Sequence, residues 1–146
     1  MITIALTVWQ RTVRRMGLDV AIKGHNGIHM GYISYGNFRG AIIASMYDKK
    51  CFDYFFMHPF QLKSLTEKEQ QRYIDHWNKV CDDDLDLFLC HSDCGGKFTP
   101  KECRTIYKAL QKVKLAEEYS HLQDTLDKWL ELFKFCADNR RTMFYR

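Results

Sequence analysis

The sequence predicts an α+β fold in which a small, mainly antiparallel sheet with a β-hairpin is covered by about four helices. Two observations support this prediction. Segments of β-type composition flank a glycine-rich stretch at residues 24–27, as is typical of a hairpin. Elsewhere, apolar residues recur every three or four positions behind capping residues, as is typical of amphipathic helices.

The hairpin is predicted from two segments near the start of the chain. Residues 18–23 and 28–35 are rich in β-branched and aromatic side chains, and Gly24-His25-Asn26-Gly27 separates them. Because Asn-Gly favours a tight two-residue turn, Asn26-Gly27 is expected at the turn.

Four helices follow from capping residues and apolar spacing, with starts expected near Asn37, Thr66, Thr99 and Tyr119. The start at Thr99 is the best defined, because Thr99-Pro100-Lys101-Glu102 combines an N-cap hydroxyl, a proline in the first turn and a glutamate three residues after the cap. The predicted apolar faces comprise Phe38, Ala41, Ile42, Ser45 and Met46; Tyr73, Ile74, Trp77 and Val80; Cys103, Ile106, Leu110 and Val113; and Tyr119, Leu122, Leu126, Trp129, Leu130 and Phe133.

Two apolar runs lie between these helices. Residues 51–57 do not alternate, so they are compatible with a strand or with a buried helical turn, and Pro59 is expected to end them. Residues 85–89 mix alternation with an apolar run and are short for a helix, so a largely buried strand is predicted there. Residues 85–110 are therefore expected to run strand, loop, helix.

The loop at residues 90–97 is the candidate functional site, because five side chains able to act as acids, bases, nucleophiles or ligands fall within five positions. Its glycine pair precedes a helix start, so backbone N–H groups, the helix dipole and Lys97 together favour an anion. The spacing is not that of a P-loop. The predicted ligand-binding residues are His91, Ser92, Asp93, Gly95, Gly96, Lys97 and Thr99.

The same residues allow other interpretations. The plain structural alternative is a tight turn capped by Asp93, with His91 packed on the protein surface. Zinc sites prefer Cys-x2-Cys pairs, whereas Cys90 and Cys94 are spaced Cys-x3-Cys and Cys103 stands alone. Cys94 with His91 could form a thiolate pair near a helix N-terminus. No metal and no cofactor is predicted.

Two short motifs, Met16-Gly17-Leu18-Asp19 and His91-Ser92-Asp93-Cys94, precede the Thr99 helix start in this order. In this the chain resembles a group of small, mostly uncharacterised bacterial and phage proteins that begin Met-Gly-Leu-Asp and carry a His-Ser-Asp-Cys-Asp-Gly-Glu loop. The resemblance implies a shared fold and loop, and no reaction. Gly95 and Lys97 replace the group's aspartate and glutamate, which favours phosphate over a hard cation.

The expected function is that of a small non-catalytic binding protein for an anionic, phosphate-bearing ligand similar to a nucleotide. Sequestration of a host signalling nucleotide by a phage-type protein would be one form of it. One alternative is a small hydrolase that uses His91, Asp93 or Cys94. Another is an inhibitor module that binds a host protein through the last helix. The binding protein is favoured because no recognised catalytic set is complete.

Composition constrains partners and location. The net charge of +4 comes from interspersed charges, so a nucleic-acid partner is not favoured, and no apolar run is long enough for a bilayer. Six cysteines without an export signal are expected to be reduced thiols in the cytoplasm. Aromatic residues, at 14% of the chain, could line a pocket.

Leu132 and Phe135 lie outside the apolar stripe of the last helix. There they could pack against Phe144 and Tyr145, or against a second copy of the chain in a homodimer.

Residues 1–15 are expected to be an N-terminal extension and residues 16–146 a single α+β domain, because the resemblance begins at Met16. We predict that removing residues 1–15 leaves a folded protein, with a fall in Tm below about 10 °C. Thermal unfolding of the shortened and full-length chains measures this directly. A larger fall would show that the extension is a structural strand.

Overall fold

The computed structural model describes residues 17–81 and 83–146; the predicted extension at residues 1–15 lies outside the described residues. These residues form a four-stranded antiparallel sheet of order β2-β1-β4-β3 and seven α-helices, which confirms the α+β class. The strands are β1 (Gly17–Ile22), β2 (His25–Gly31), β3 (Lys97–Phe98) and β4 (Met143–Tyr145). The helices are α1 (Tyr32–Met46), α2 (Lys49–Phe55), α3 (Pro59–Ser64), α4 (Glu67–Val80), α5 (Leu85–Leu89), α6 (Pro100–Leu110) and α7 (Gln123–Asn139).

The hairpin forms, but its turn lies earlier than predicted. Ile22 pairs with His25, so Lys23 and Gly24 make the turn, and Gly24 has a φ of 86°. Gly27, expected in the turn, lies in β2 within a register shift and has a φ of 69°. Both glycines adopt a positive φ that other residues avoid, so the pairing register decides which of them turns the chain.

Helix α1 begins at Tyr32, whereas a strand to residue 35 and a helix start at Asn37 were predicted. The reason is burial. Tyr35, Phe38 and Ile42 are all inaccessible to solvent and share one helical face, so the first turn of α1 completes the core. Tertiary packing overrides the β-type composition of residues 32–35.

Residues 85–89 form the short helix α5, so the prediction of a strand there is wrong. Leu85, Phe88 and Leu89 are buried at a spacing of three and four, which a strand could not place on one face. The Asp83 carboxylate accepts a hydrogen bond from the Leu85 N–H at 2.9 Å and supports the first turn. Residues 85–110 therefore run helix, loop, short strand, helix.

The other ambiguous run is also helical. Residues 49–55 form α2, capped by Asp48, and Pro59 begins α3 instead of only ending the run. The cap predicted at Thr66 is present in α4, as is the full capping box at Thr99. The last predicted helix is a 3₁₀ helix at Glu117–Leu122 followed by α7.

The hydrophobic core lies between the sheet and α1, α5, α6 and α7, with Trp129 of α7 at its centre. The Trp129 ring lies 5.4 to 6.4 Å, centre to centre, from five aromatic rings: Tyr35, Phe38, Phe88, Phe133 and Tyr145. Leu132, expected off the stripe, is also in the core. Within the described residues, no helix has both the length and the apolar character needed to cross a membrane.

Candidate functional site

The loop at residues 90–97 joins α5 to β3 and is held from inside by Arg39 of α1. Nη1 of Arg39 donates to the carbonyl oxygens of Leu89 and His91, each at 3.0 Å, and Nη2 lies 3.9 Å from the Asp93 carboxylate. The guanidinium also lies 4.3 Å from the centre of the Tyr35 ring. Only 8% of Arg39 is exposed, so these contacts replace part of the water around a buried cation, whose Nε has no hydrogen-bond partner among the described residues.

His91 closes the loop by packing. Its ring lies 4.2 Å from the Phe98 ring and 4.8 Å from the Tyr145 ring, and its Nδ1 lies 2.8 Å from the Ser92 carbonyl oxygen. Gly96 has a φ of 96°, and a Cβ there would come within 3.0 Å of the His91 ring. A glycine is therefore required at residue 96 by both conformation and space. These contacts match the plain structural alternative for His91.

Gly95 and Lys97 form the open part of the loop. A Cβ on Gly95 would meet no atom within 4 Å, so packing does not require a glycine there. Lys97 is exposed, and the salt bridges of the described residues do not include it. These two positions, with the backbone of Gly96 between them, remain available to an anion.

Thr99 serves the helix that follows. Its hydroxyl accepts from the Glu102 N–H at 3.2 Å, and the Glu102 carboxylate accepts from the Thr99 N–H at 3.0 Å. A carboxylate therefore already occupies the positive end of α6, where an anion was expected to gain from the dipole. The Thr99 hydroxyl oxygen thus caps the helix, and its own O–H is left to donate.

Cys94 and His91 do not hydrogen-bond to each other in the described loop. Ser92 Oγ accepts from the Cys94 N–H at 3.3 Å and lies 3.4 Å from the Cys94 sulfur. Asp93 faces Arg39, and His91 faces a carbonyl oxygen and two aromatic rings. The hydrogen bonds of the described residues include none between Cys94 and His91, so no nucleophile and base pair forms.

The loop cysteines and His91 also do not converge on a zinc position. The Cys90 thiol donates to the Asp86 carboxylate at 3.1 Å, whereas the Cys103 thiol is buried and donates to the Phe98 carbonyl oxygen at 3.8 Å. The grouping of ligand atoms that a zinc site needs is absent from this part of the described chain.

A cleft of about 410 Å³ opens beside the start of the loop, between α2, α4 and α5. Its walls are mainly aromatic and aliphatic, with an amide, a carboxylate and a thiol among them. The walls are formed by Tyr54, Phe55, Met57, Leu62, Ile74, Trp77, Asn78, Asp86 and Cys90. A volume of this size, apolar with few polar groups, is typical of small-molecule sites.

Asp86 organises the polar side of the cleft. Its Oδ1 accepts from Trp77 Nε1 at 2.8 Å and from the Cys90 thiol at 3.1 Å. Desolvation and the hydrogen bond to Asp86 raise the pKa of the Cys90 thiol to about 12. Cys90 is therefore a neutral hydrogen-bonding group at physiological pH and not a nucleophile.

Sequence reasoning found the loop but missed Arg39, the cleft and the pairing of Asp86 with Trp77 and Cys90. One available signal was the position of Arg39 directly after Phe38, at the edge of the buried face of α1. The high aromatic content had indicated a pocket without placing it.

Comparison of the chain with protein-family models, with curated proteins and with solved structures finds no match. The resemblance carried by Met16-Gly17-Leu18-Asp19 and His91-Ser92-Asp93-Cys94 therefore stays a prediction. Function has to be argued from the geometry of the loop and the cleft.

We predict that Arg39→Met loosens the loop, because it keeps the apolar stem but leaves the Leu89 and His91 carbonyl oxygens without a donor. The free energy of unfolding should fall by about 2 to 6 kcal/mol, since two carbonyl oxygens lose their donor and each unpaired buried group costs about 1 to 3 kcal/mol. Urea denaturation gives the change, and amide hydrogen exchange of residues 92–96 should be faster. The control Arg104→Met, at an exposed position, should stay within about 0.5 kcal/mol of the parent. Unchanged stability and exchange in Arg39→Met would contradict the role assigned to Arg39.

We also predict that Cys90 alkylates slowly at pH 8 and faster as the pH rises, because only its thiolate reacts. Asp86→Asn removes the charge that helps to raise the thiol pKa. Each unit of lowered pKa should then increase the rate at pH 8 about tenfold. Peptide mapping after iodoacetamide treatment, in a Cys94→Ser background, measures Cys90 alone. Fast labelling of Cys90 in the parent at pH 8 would show that the thiol is not held neutral.

Proposed function

We propose that the protein is a non-catalytic binding protein for a nucleotide-like molecule whose ring lies in the aromatic cleft and whose anionic group faces the loop. The observation that carries the proposal is the cleft of about 410 Å³, which combines aromatic walls with the Asp86 carboxylate. Cys90 belongs to both the cleft and the loop, so the two halves adjoin.

The cleft suits a flat ring that bears N–H groups. Tyr54 and Trp77 lie 6.0 Å apart, centre to centre, and offer aromatic faces, on which bases stack readily. Asp86 uses Oδ1 for both Trp77 and Cys90, which leaves Oδ2 to accept from a ligand. Because a carboxylate repels phosphate, this part of the site favours the base and not the anionic group.

The loop supplies the attraction for an anion. Lys97 offers an exposed ammonium, and the space above Gly95 lets a ligand approach the backbone. The helix N-terminus adds little, because Glu102 already neutralises it. Gly95, Gly96 and Lys97 are therefore the part of the predicted set that supports the proposal.

The two alternatives have less support. A hydrolase with Cys94 as nucleophile needs a base in contact with the thiol, and His91 and Cys94 are not hydrogen-bonded in the described structure. An inhibitor acting through the last helix needs a free apolar face. On α7, Leu132 is buried and Phe135 packs on His25, 5.0 Å between ring centres.

Thermal shift with a panel of nucleosides, nucleotides, cyclic dinucleotides, ADP-ribose derivatives and inorganic phosphate tests the proposal. A ligand at about a hundred times its Kd should stabilise the fold by about 2.7 kcal/mol. We predict that Ile74→Trp, at a cleft position that is 38% exposed, lowers the affinity for nucleosides and nucleotides at least about tenfold, because the larger side chain fills the cleft. Lys97→Glu should lower the affinity for nucleotides and leave the affinity for nucleosides unchanged.

Two matched controls separate these effects from those that any added tryptophan or any reversed charge would have. Gln71→Trp adds the same side chain at an exposed position of α4, and Lys134→Glu makes the same charge change on α7. Both should bind like the parent. No stabilisation by any panel member at millimolar concentration would contradict the proposal, as would binding that neither Ile74→Trp nor Lys97→Glu weakens. Turnover of a bound ligand in solution would favour the hydrolase.

A further inference from the structure

Three metal-ligating side chains meet where α2 begins beside α4, away from the loop. They are Asp48, Cys51 and His76, and a ligand atom from each lies within 4.8 Å of the others. His76 Nε2 and Asp48 Oδ2 are 2.7 Å apart. Among the described residues this is where such atoms converge.

A fourth donor, Cys81, lies beside Cys51 but outside the group whose ligand atoms are all within 4.8 Å of one another. The sulfur atoms of Cys81 and Cys51 are 3.7 Å apart. Zinc binds thiolate sulfur at about 2.3 Å in tetrahedral geometry, which places two sulfur ligands about 3.8 Å from each other. The two thiols therefore already have the separation that a shared zinc ion would impose.

We propose that Asp48, Cys51, His76 and Cys81 form a binding site for a zinc-like divalent metal that joins α2 to α4. Two sulfurs, one imidazole nitrogen and one carboxylate oxygen are a donor set that zinc and cobalt accept, whereas magnesium and calcium require oxygen ligands. Once the Cys81 side chain turns toward the other three ligands, four protein donors complete a tetrahedron, which is the coordination of structural zinc sites.

The fold holds three of these ligands, Asp48, Cys51 and His76, close together before any metal binds. Asp48 is the N-cap of α2, and its Oδ1 accepts from the Cys51 N–H at 2.9 Å, so that Oδ2 faces His76 Nε2 and a metal ion between them replaces their direct contact. Cys81 ends α4 through a hydrogen bond from its N–H to the Trp77 carbonyl oxygen. Hydrogen bonds of this kind orient metal ligands.

Burial gives the site an inner and an outer side. Cys51 and Cys81 are 1% and 2% exposed, whereas the Asp48 and His76 side chains are 46% and 26% exposed. A metal can therefore arrive from solvent past the carboxylate and the imidazole and reach the two sulfurs behind them. Binding releases both thiol protons to solvent, so affinity rises with pH.

Cobalt titration of the metal-free full-length protein, kept under a reductant, tests the site. We expect one Co²⁺ per chain, with visible d–d bands of a tetrahedral ion, a near-ultraviolet sulfur-to-cobalt charge-transfer band and displacement by Zn²⁺. His76→Gln and Cys81→Ser should each lower the affinity for Co²⁺ at least about a hundredfold. Zn²⁺ should raise the Tm of the parent and not that of these variants.

Three matched variants act as controls. Cys90→Ser and Cys94→Ser change the loop thiols, and His121→Gln changes an exposed histidine; all three should bind cobalt like the parent. Asp48→Asn, at a half-exposed position, replaces Cys81→Ser in the test if that variant does not fold, because the loss of the Asp48 carboxylate should also lower the affinity for the metal. Absence of the charge-transfer band would overturn the proposal, as would its loss in Cys90→Ser or Cys94→Ser. None of these outcomes depends on a nucleotide in the cleft.

Discussion

The buried guanidinium of Arg39 fixes the region on which both halves of the candidate ligand site depend. A buried cation must find partners for its N–H groups, and Nη1 takes the carbonyl oxygens of Leu89 and His91, at the end of α5 and the start of the loop. The residue between them, Cys90, is thereby held against the cleft. The same contacts hold His91 where its ring meets Phe98. Arg39 therefore adds a common support to the cleft wall that Asp86 organises and to the loop that His91 closes.

Local signals were sufficient for the helices whose starts are set by neighbouring residues. The hydroxyls of Thr66 and Thr99 each accept from an N–H three residues ahead, so four consecutive residues define these starts. Residues 85–89 offered no such signal. Their helix depends on burying Leu85, Phe88 and Leu89 together, which is a property of the packed core. The hairpin is an intermediate case, because two glycines could turn the chain and the pairing register selects one.

The functional geometry was less predictable, because its contacts join residues far apart in the sequence. Arg39 reaches a carbonyl oxygen 50 residues away, and His76 lies beside a carboxylate 28 residues away. Motif spacing detects ligands that share one turn or loop, such as Cys-x2-Cys pairs. Asp48 and Cys51 share a turn but are not such a pair, and His76 and Cys81 come from a different helix. The loop at residues 90–97 was recognised for the opposite reason, since its chemistry is contiguous in the chain.

Strand β4 has a consequence for how the molecule acquires its shape. It lies between β1 and β3, and Val20 pairs with Tyr145 across nearly the whole described chain. Such a pairing forms slowly compared with helices and hairpins. The two distant ends of the chain must meet first, and the chain entropy lost in bringing them together is not compensated until the strands make contact. Tyr145 of β4 packs on His91, and its N–H donates to the Gly96 carbonyl oxygen at 3.0 Å. The conformation of the loop is therefore tied to the strand that makes the least local pairing in the sheet, and we expect the loop to become ordered only when that strand docks.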